Sequence, residues 1–164
     1  EVVAQHGEAL PFKDHLFDLI HCRAVLHHAR DLSALCREVS RVLRPNGMFI
    51  ATREHVISRK ADLGAFLDSH PLHRLYGGEN AYLLTEYQRA IKAAGLRIIE
   101  VLNPYASDIN LFPDSRADLK RRIAKRLYLP WQELVPEFLI DWLGNRLNQP
   151  GRHFSFIAKK MSDA

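Results

Sequence analysis

The residues from Leu10 to Arg53 constrain this chain more tightly than any other stretch. Phe17–Cys22 (FDLIHC) is a short, mostly apolar run preceded by the turn-forming pair Lys13-Asp14, the pattern of a buried parallel strand. Asp31 can cap a helix whose Leu32, Leu35, Val39, Val42 and Leu43 fall on one face at spacings of three and four. Pro45-Asn46-Gly47 halts that helix, because proline cannot continue it and Asn or Gly accepts a left-handed backbone. Met48–Thr52 then reads as a second buried strand. Two parallel strands joined by a crossover helix make a βαβ unit. Such units build α/β sheets that bind ligands at the carboxyl ends of their strands.

Composition narrows the class. At 164 residues, 47% hydrophobic and 26% charged, the chain can bury a core as one globular domain. No apolar run approaches the roughly 18 residues of a membrane span, and there is no signal peptide. Cys22 and Cys36 are the only cysteines and form no disulfide framework, so the cytoplasm is the expected compartment. A net charge of +4 permits anionic partners without arguing for them. Because the chain starts at Glu1 rather than Met, it is read as a piece of a longer protein.

The strings LPF-x-D-x-x-FD-L-I from Leu10, L-H-H-x-x-D from Leu26 and E-V-x-R-V-L-R-P-N-G from Glu38 stand in a set order and spacing. Together they resemble the second half of a class I S-adenosylmethionine-dependent methyltransferase, of the small-molecule type that includes the ubiquinone/menaquinone C-methyltransferases. The likeness is close over residues 1–53 and looser over 83–102 and 153–160. It implies an α/β fold: an incomplete Rossmann-like sheet with strands near 17–22, 48–53, 97–102 and 153–159. The last of these is expected antiparallel, between the second and third. The whole chain, 1–164, would be the C-terminal part of a methyltransferase domain, with a helical insertion at 103–152.

Other elements are read from pattern. Glu1–Gln5 looks like the tail of a strand. An irregular segment is expected from Glu54 to about Tyr82, with a short helix near 61–67 broken by Ser69-His70-Pro71. Thr85-Glu86-Tyr87-Gln88 suits a capping box opening a helix through Ala94, closed by Gly95. In the insertion, Leu119, Ile123 and Leu127 line one side of an amphipathic helix, while Pro130 and Pro136 suit first helical turns.

The resemblance implies S-adenosylmethionine as cofactor. His6, Gly7 and Glu8 would lie against its adenine, and Cys22 and Arg23 near its methionyl end. The family's glycine-rich loop lies outside these residues and no G-x-G occurs among them, so the chain carries half a cofactor site and is expected to bind the cofactor weakly. His27 and His28 follow a strand end, where an imidazole suits a general base for a methyl acceptor. No metal is expected: the spacing of Cys22, His27, His28 and Cys36 matches no finger or HExxH pattern.

The expected function is methyl transfer to a small-molecule, lipid-linked or glycan-linked acceptor. One alternative is RNA binding through the basic helix 116–126, whose six cations could meet phosphates. No aromatic interleaving supports base stacking there, and nucleic acid is not the favoured partner. Another alternative is a non-catalytic interaction fragment. Without its neighbouring first strand, Phe17–Cys22 would be an open edge, expected to be covered by a second copy, by Glu1–Gln5 or by the basic helix.

Overall fold

The structure, a computed structural model, describes residues 5–162. The strand tail expected at Glu1–Gln5 lies almost wholly outside the described residues. Five strands form one sheet: β1 (Phe17–Arg23), β2 (Leu43–Ile57), β3 (Tyr82–Leu83), β4 (Leu96–Leu102) and β5 (Arg152–Lys160). The order is β1-β2-β5-β4, with β3 also on β2. β1 and β3 run parallel to β2, whereas β5 is antiparallel to both β2 and β4. The last strand is therefore inserted antiparallel, as expected.

The crossover between β1 and β2 is α1 (Leu32–Val42), capped by the Asp31 carboxylate on the Ala34 amide at 2.9 Å. Its apolar face and that of α4 (Leu84–Ala93) close over one side of the sheet. There Leu35, Val39, Tyr87 and Ile91 meet Phe49, Phe156 and Leu96. Asn46 takes the left-handed backbone that its place in Pro45-Asn46-Gly47 suggests, at φ 66°. Arg41, near the end of α1, explains why two distant strings travel together. Its guanidinium donates to the Leu10 and Phe12 carbonyls, to Asp14 and to Glu38, while Glu38 accepts from the Leu10 amide.

Several expectations are corrected. β1 is not buried on both faces: Ile20 and Cys22 pack on the core, but Leu19 is 55% exposed. Alternate residues of a strand face opposite sides, and among the described residues only one side of β1 is covered. β2 does not end near Arg53 but continues to Ile57, because β5 pairs with it as far as Val56. Pro71 does not simply break a helix. It starts α3 (Pro71–Tyr76) after α2 (Asp62–Ser69), with His70 as cap. Thr85 is not a cap; α4 opens one residue earlier, and the Glu86 carboxylate accepts from the Leu83 amide at 2.8 Å.

Between β4 and β5 lie α5 (Asp108–Leu111), α6 (Arg116–Arg126) and α7 (Glu137–Arg146). They surround a small core of their own, Leu119, Ala124, Val135 and Ile140. Leu127 does not share it: α6 ends at Arg126, so Leu127 is the cap residue and 53% exposed. Pro136 caps α7 from just outside, and Pro130 lies in no helix. Buried amides root this subdomain in the sheet. Asn110 donates to the Leu102 and Asn103 carbonyls and accepts from Ser155 of β5, and Asn103 bonds α7 through the Asp141 carbonyl and Asn145. No helix among the described residues is long and apolar enough to cross a membrane.

Lys160, the last residue of β5, ties the wedge strand to the crossover helix. Its buried ammonium donates to the Ser40 carbonyl at 2.7 Å and the Leu43 carbonyl at 3.0 Å. Carbonyls at a helix end lack partners within the helix, and a cation there is favoured by the helix dipole. Replacing Lys160 with Met should leave those carbonyls unmet and lower stability by about 1.5–3 kcal/mol, read from urea unfolding.

Candidate active site

A bulge in β2 determines what stands at the strand ends. Pairing with β5 slips between Ala51 and Glu54, and Arg53 sits at φ 61°, a conformation that L side chains rarely adopt. Before the slip, Phe49 and Ala51 face the helical core; after it Val56 does. The change of parity turns Glu54 inward where Arg53 would otherwise be. Arg53 instead donates to the Ile109 and Phe112 carbonyls at the foot of the insertion.

Glu54 is fully buried, and its carboxylate collects donors from the segment after β1. The Val25 amide donates to one oxygen at 3.1 Å, and the His27 amide to the other at 3.1 Å. That second oxygen also takes the His27 Nδ1 at 2.8 Å, with His27 itself 1% exposed. A carboxylate can only accept, so the neutral His27 ring carries its proton on Nδ1 and a lone pair on Nε2.

His28 obeys the same logic: its Nδ1 lies 2.9 Å from the Gly78 carbonyl, an acceptor, which leaves Nε2 bare. His55 repeats it with the Gly151 carbonyl at 2.9 Å. These rings pack together at tilted or edge-on angles. The centroid of His27 is 4.2 Å from that of His28 and 4.5 Å from that of His55, and His55 in turn meets His70 and His153. Burial, reinforced by its neighbouring imidazoles, pushes His55 down to about 3, so it is neutral throughout the ordinary pH range. Burial likewise takes His153 down to about 4.

Into this group comes Glu79, from the loop after α3. Its side chain is 8% exposed, and Oε2 lies 3.5 Å from His27 Nε2 and 3.9 Å from His28 Nε2 without a hydrogen-bond partner.

The residues expected to hold the cofactor divide. His6, Gly7 and Glu8 line one hollow with Val25, His28 and Leu35. Gly7 suits that wall, since a Cβ there would come within 2.6 Å of the Leu35 side chain. Glu8 is engaged elsewhere: its carboxylate accepts from the Arg30 amide at 2.9 Å. Against the opposing effect of burial, such backbone bonds hold its carboxyl below the usual range. Cys22 turns its side chain into the core, and burial, then Glu54, pushes the thiol up to about 12. Only its backbone is left to face a ligand. Arg23 is exposed at the end of β1. Sequence reasoning found His27 and His28 but missed Glu54 and Glu79. The signal for Glu54 was a polar pair, Glu54-His55, following an apolar run; Glu79 in a Gly-Gly loop gave none.

Sheet order matches the later half of a class I methyltransferase fold, and the sequence is similar to a protein named as a methyltransferase. Residues 1–51 match the methyltransferase domain family. The uncharacterized methyltransferase YcgJ of Bacillus subtilis (strain 168) is 49% identical over 160 aligned residues, which span 93% of this chain and 60% of that protein. Superposition on the crystal structure of YcgJ covers 96% of this chain and 69% of the other, with TM-score 0.54 and 27% identity among residues paired in space. Geranyl diphosphate C-methyltransferase of Streptomyces coelicolor A3(2) shares the fold at TM-score 0.60 and 14% identity, over 94% of this chain and 50% of that one. These comparisons do not test the expected ubiquinone/menaquinone branch.

Two outcomes follow from this geometry. Glu54→Ala should strand three donors, two of them buried, and destabilise the protein by about 3–5 kcal/mol in urea, with Glu54→Gln milder. In the native state, Cys22 and Cys36, whose thiols burial raises to about 12, should react with iodoacetamide at mildly alkaline pH at least ~10²-fold more slowly than free cysteine. Counting labelled thiols by mass spectrometry checks this.

Proposed function

We propose that this chain is the C-terminal part of a methyltransferase domain that uses S-adenosylmethionine to methylate a small-molecule, lipid-linked or glycan-linked acceptor in the cytoplasm. The observation that carries the reading is the buried His27–Glu54 pair at the carboxyl ends of β1 and β2, in a chain similar in sequence to a protein named as a methyltransferase. The chain spans only 60% of the curated YcgJ relative, so the activity is assigned to the protein as a whole.

The hollow of His6, Gly7, Val25 and His28 is where the cofactor's adenosyl part would be held, with Arg23 and the Cys22 backbone at the end of β1 toward its methionyl part. Bound there, S-adenosylmethionine supplies an electrophilic methyl carbon, so the protein's task is alignment and exclusion of water. Glu54 performs the alignment indirectly. It fixes the backbone at Val25 and His27 and the His27 ring, while the Gly78 carbonyl fixes the His28 ring, so that the two imidazole lone pairs face the acceptor end of the site. In this reading the exposed His28 meets the acceptor and the buried His27 ring backs it at 4.2 Å.

RNA as acceptor finds less support. In α6, Arg116 and Lys120 pair with Glu137, Arg121 with Asp118 and Arg122 with Asp114, which neutralises much of the basic face. An open edge at β1 is consistent with cover by the rest of the domain or by a second copy.

The test is transfer of labelled methyl by the full-length protein to a small-molecule extract, compared with RNA. Label in the small molecules is expected, and His27→Ala should lower turnover by about 10²-fold or more while cofactor affinity holds. Label in RNA alone, or cofactor affinity that falls while turnover holds, would contradict the reading.

A further inference from the structure

The imidazole cluster holds an arrangement that methyl transfer alone does not require. In a site built for hydrogen bonding, the buried Glu79 carboxylate would be met by a donor. Oε2 has none, although a buried anionic oxygen left unpaired is costly. The atoms nearest it in the cluster are the Nε2 nitrogens of His27 and His28, at 3.5 Å and 3.9 Å. His27 and His28 have their protons on Nδ1, directed at Glu54 and the Gly78 carbonyl. Three electron pairs thus converge with nothing between them.

We propose that His27 Nε2, His28 Nε2 and Glu79 Oε2 form a binding site for a divalent transition-metal ion of the zinc type. Three features fit. Ligand atoms on a tetrahedral ion at about 2.0–2.1 Å stand roughly 3.3 Å apart, close to the 3.5 Å and 3.9 Å that separate these nitrogens from the carboxylate. Each imidazole passes its other N–H to a carboxylate or carbonyl, as metal-bound histidines do to fix the ring and strengthen its basicity. A positive ion also supplies the partner that Glu79 lacks. His55 and His70 also bring a nitrogen each within 4.8 Å of a Glu79 oxygen, so four imidazoles lie near this carboxylate. The donor set of two imidazoles and one carboxylate selects zinc, iron, cobalt or nickel over magnesium, which prefers oxygen ligands.

With three protein ligands the ion keeps an open position, as catalytic sites do. His28, 44% exposed, places that position at the solvent-accessible side of the cluster. An acceptor bearing a hydroxyl or enol oxygen binds there by exchange for water. Bound there, the ion would make that oxygen more acidic, and its proton would leave to solvent. The imidazoles then act as ligands rather than as the general base. This role for the ion rests on the methyl-transfer reading; the binding site itself does not.

The experiment is a titration of the metal-free chain with zinc by calorimetry and with cobalt(II) by visible absorption. One equivalent should bind saturably, with the absorption of a tetrahedral nitrogen–oxygen site, and magnesium should not compete. Glu79→Gln and His28→Ala, whose folding is checked by circular dichroism, should each weaken binding about 10- to 100-fold or more. His21→Ala, whose ring faces Thr52 instead, should leave it unchanged. Absence of saturable binding, or binding that survives both ligand substitutions, overturns the site. Methyl transfer that persists in a chelator with no metal bound would overturn the ion's role and leave the methyltransferase reading standing. Metal binding with no methyl transfer to any acceptor would uphold the site and remove that reading.

Discussion

A carboxylate with no access to water, set at the far end of the longest strand, dictates much of what surrounds it. Burying the Glu54 side chain is tolerable only because the backbone after β1 bends to present two amides and one imidazole N–H. That bend makes the short 3₁₀ turn at Leu26–His28, and it sets the orientation of His27. The bulge at Arg53 is the other half of the same constraint. A strand of regular pleat would present Arg53 to the core, and a left-handed residue costs of order 1 kcal/mol or more. The strain is offset by the Arg53 contacts with the insertion and by the network that Glu54 completes.

The antiparallel wedge β5 carries this arrangement to the rest of the molecule. Its pairing with β2 stretches β2 past the bulge. The Gly151 turn before it binds His55, Ser155 within it anchors Asn110 at the root of the insertion, and Lys160 at its end closes the crossover helix. Gly151 stands at φ 77°, and a Cβ there would lie 2.2 Å from the Phe66 ring, so the turn, α2 and the histidine cluster fit together around a residue without a side chain. The site is therefore held by the sheet and not by a loose loop, apart from Glu79 and Gly78.

How much of this was legible in the residues depended on range. The crossover unit could be read because apolar spacing and stop signals act within a few residues: Asp31 caps α1 and Asn46 turns left-handed, as their types suggest. The order of the later strands came through resemblance. Parity of β2 beyond Ala51 could not be read, because a bulge leaves no mark in a charged stretch such as Thr52-Arg53-Glu54-His55. The cluster was half visible. His27 and His28 are adjacent in sequence, but their partners Glu54 and Glu79 are separated from them by 27 and 51 positions and meet them only through the fold. Cys22 misled for the opposite reason, since a strand-end position says nothing of which face the side chain takes.

The central claim is that Glu54 and two backbone carbonyls force the protons of three histidines onto Nδ1, leaving lone pairs aimed into one site. Long-range ¹⁵N–¹H correlation NMR of the imidazole rings reads the tautomer of each histidine directly. The account predicts that His27, His28 and His55, when neutral, carry the proton on Nδ1, against the usual preference of free imidazole for Nε2. Protonation on Nε2 at His27 would mean that Glu54 does not orient the ring, and the site as described here would not exist.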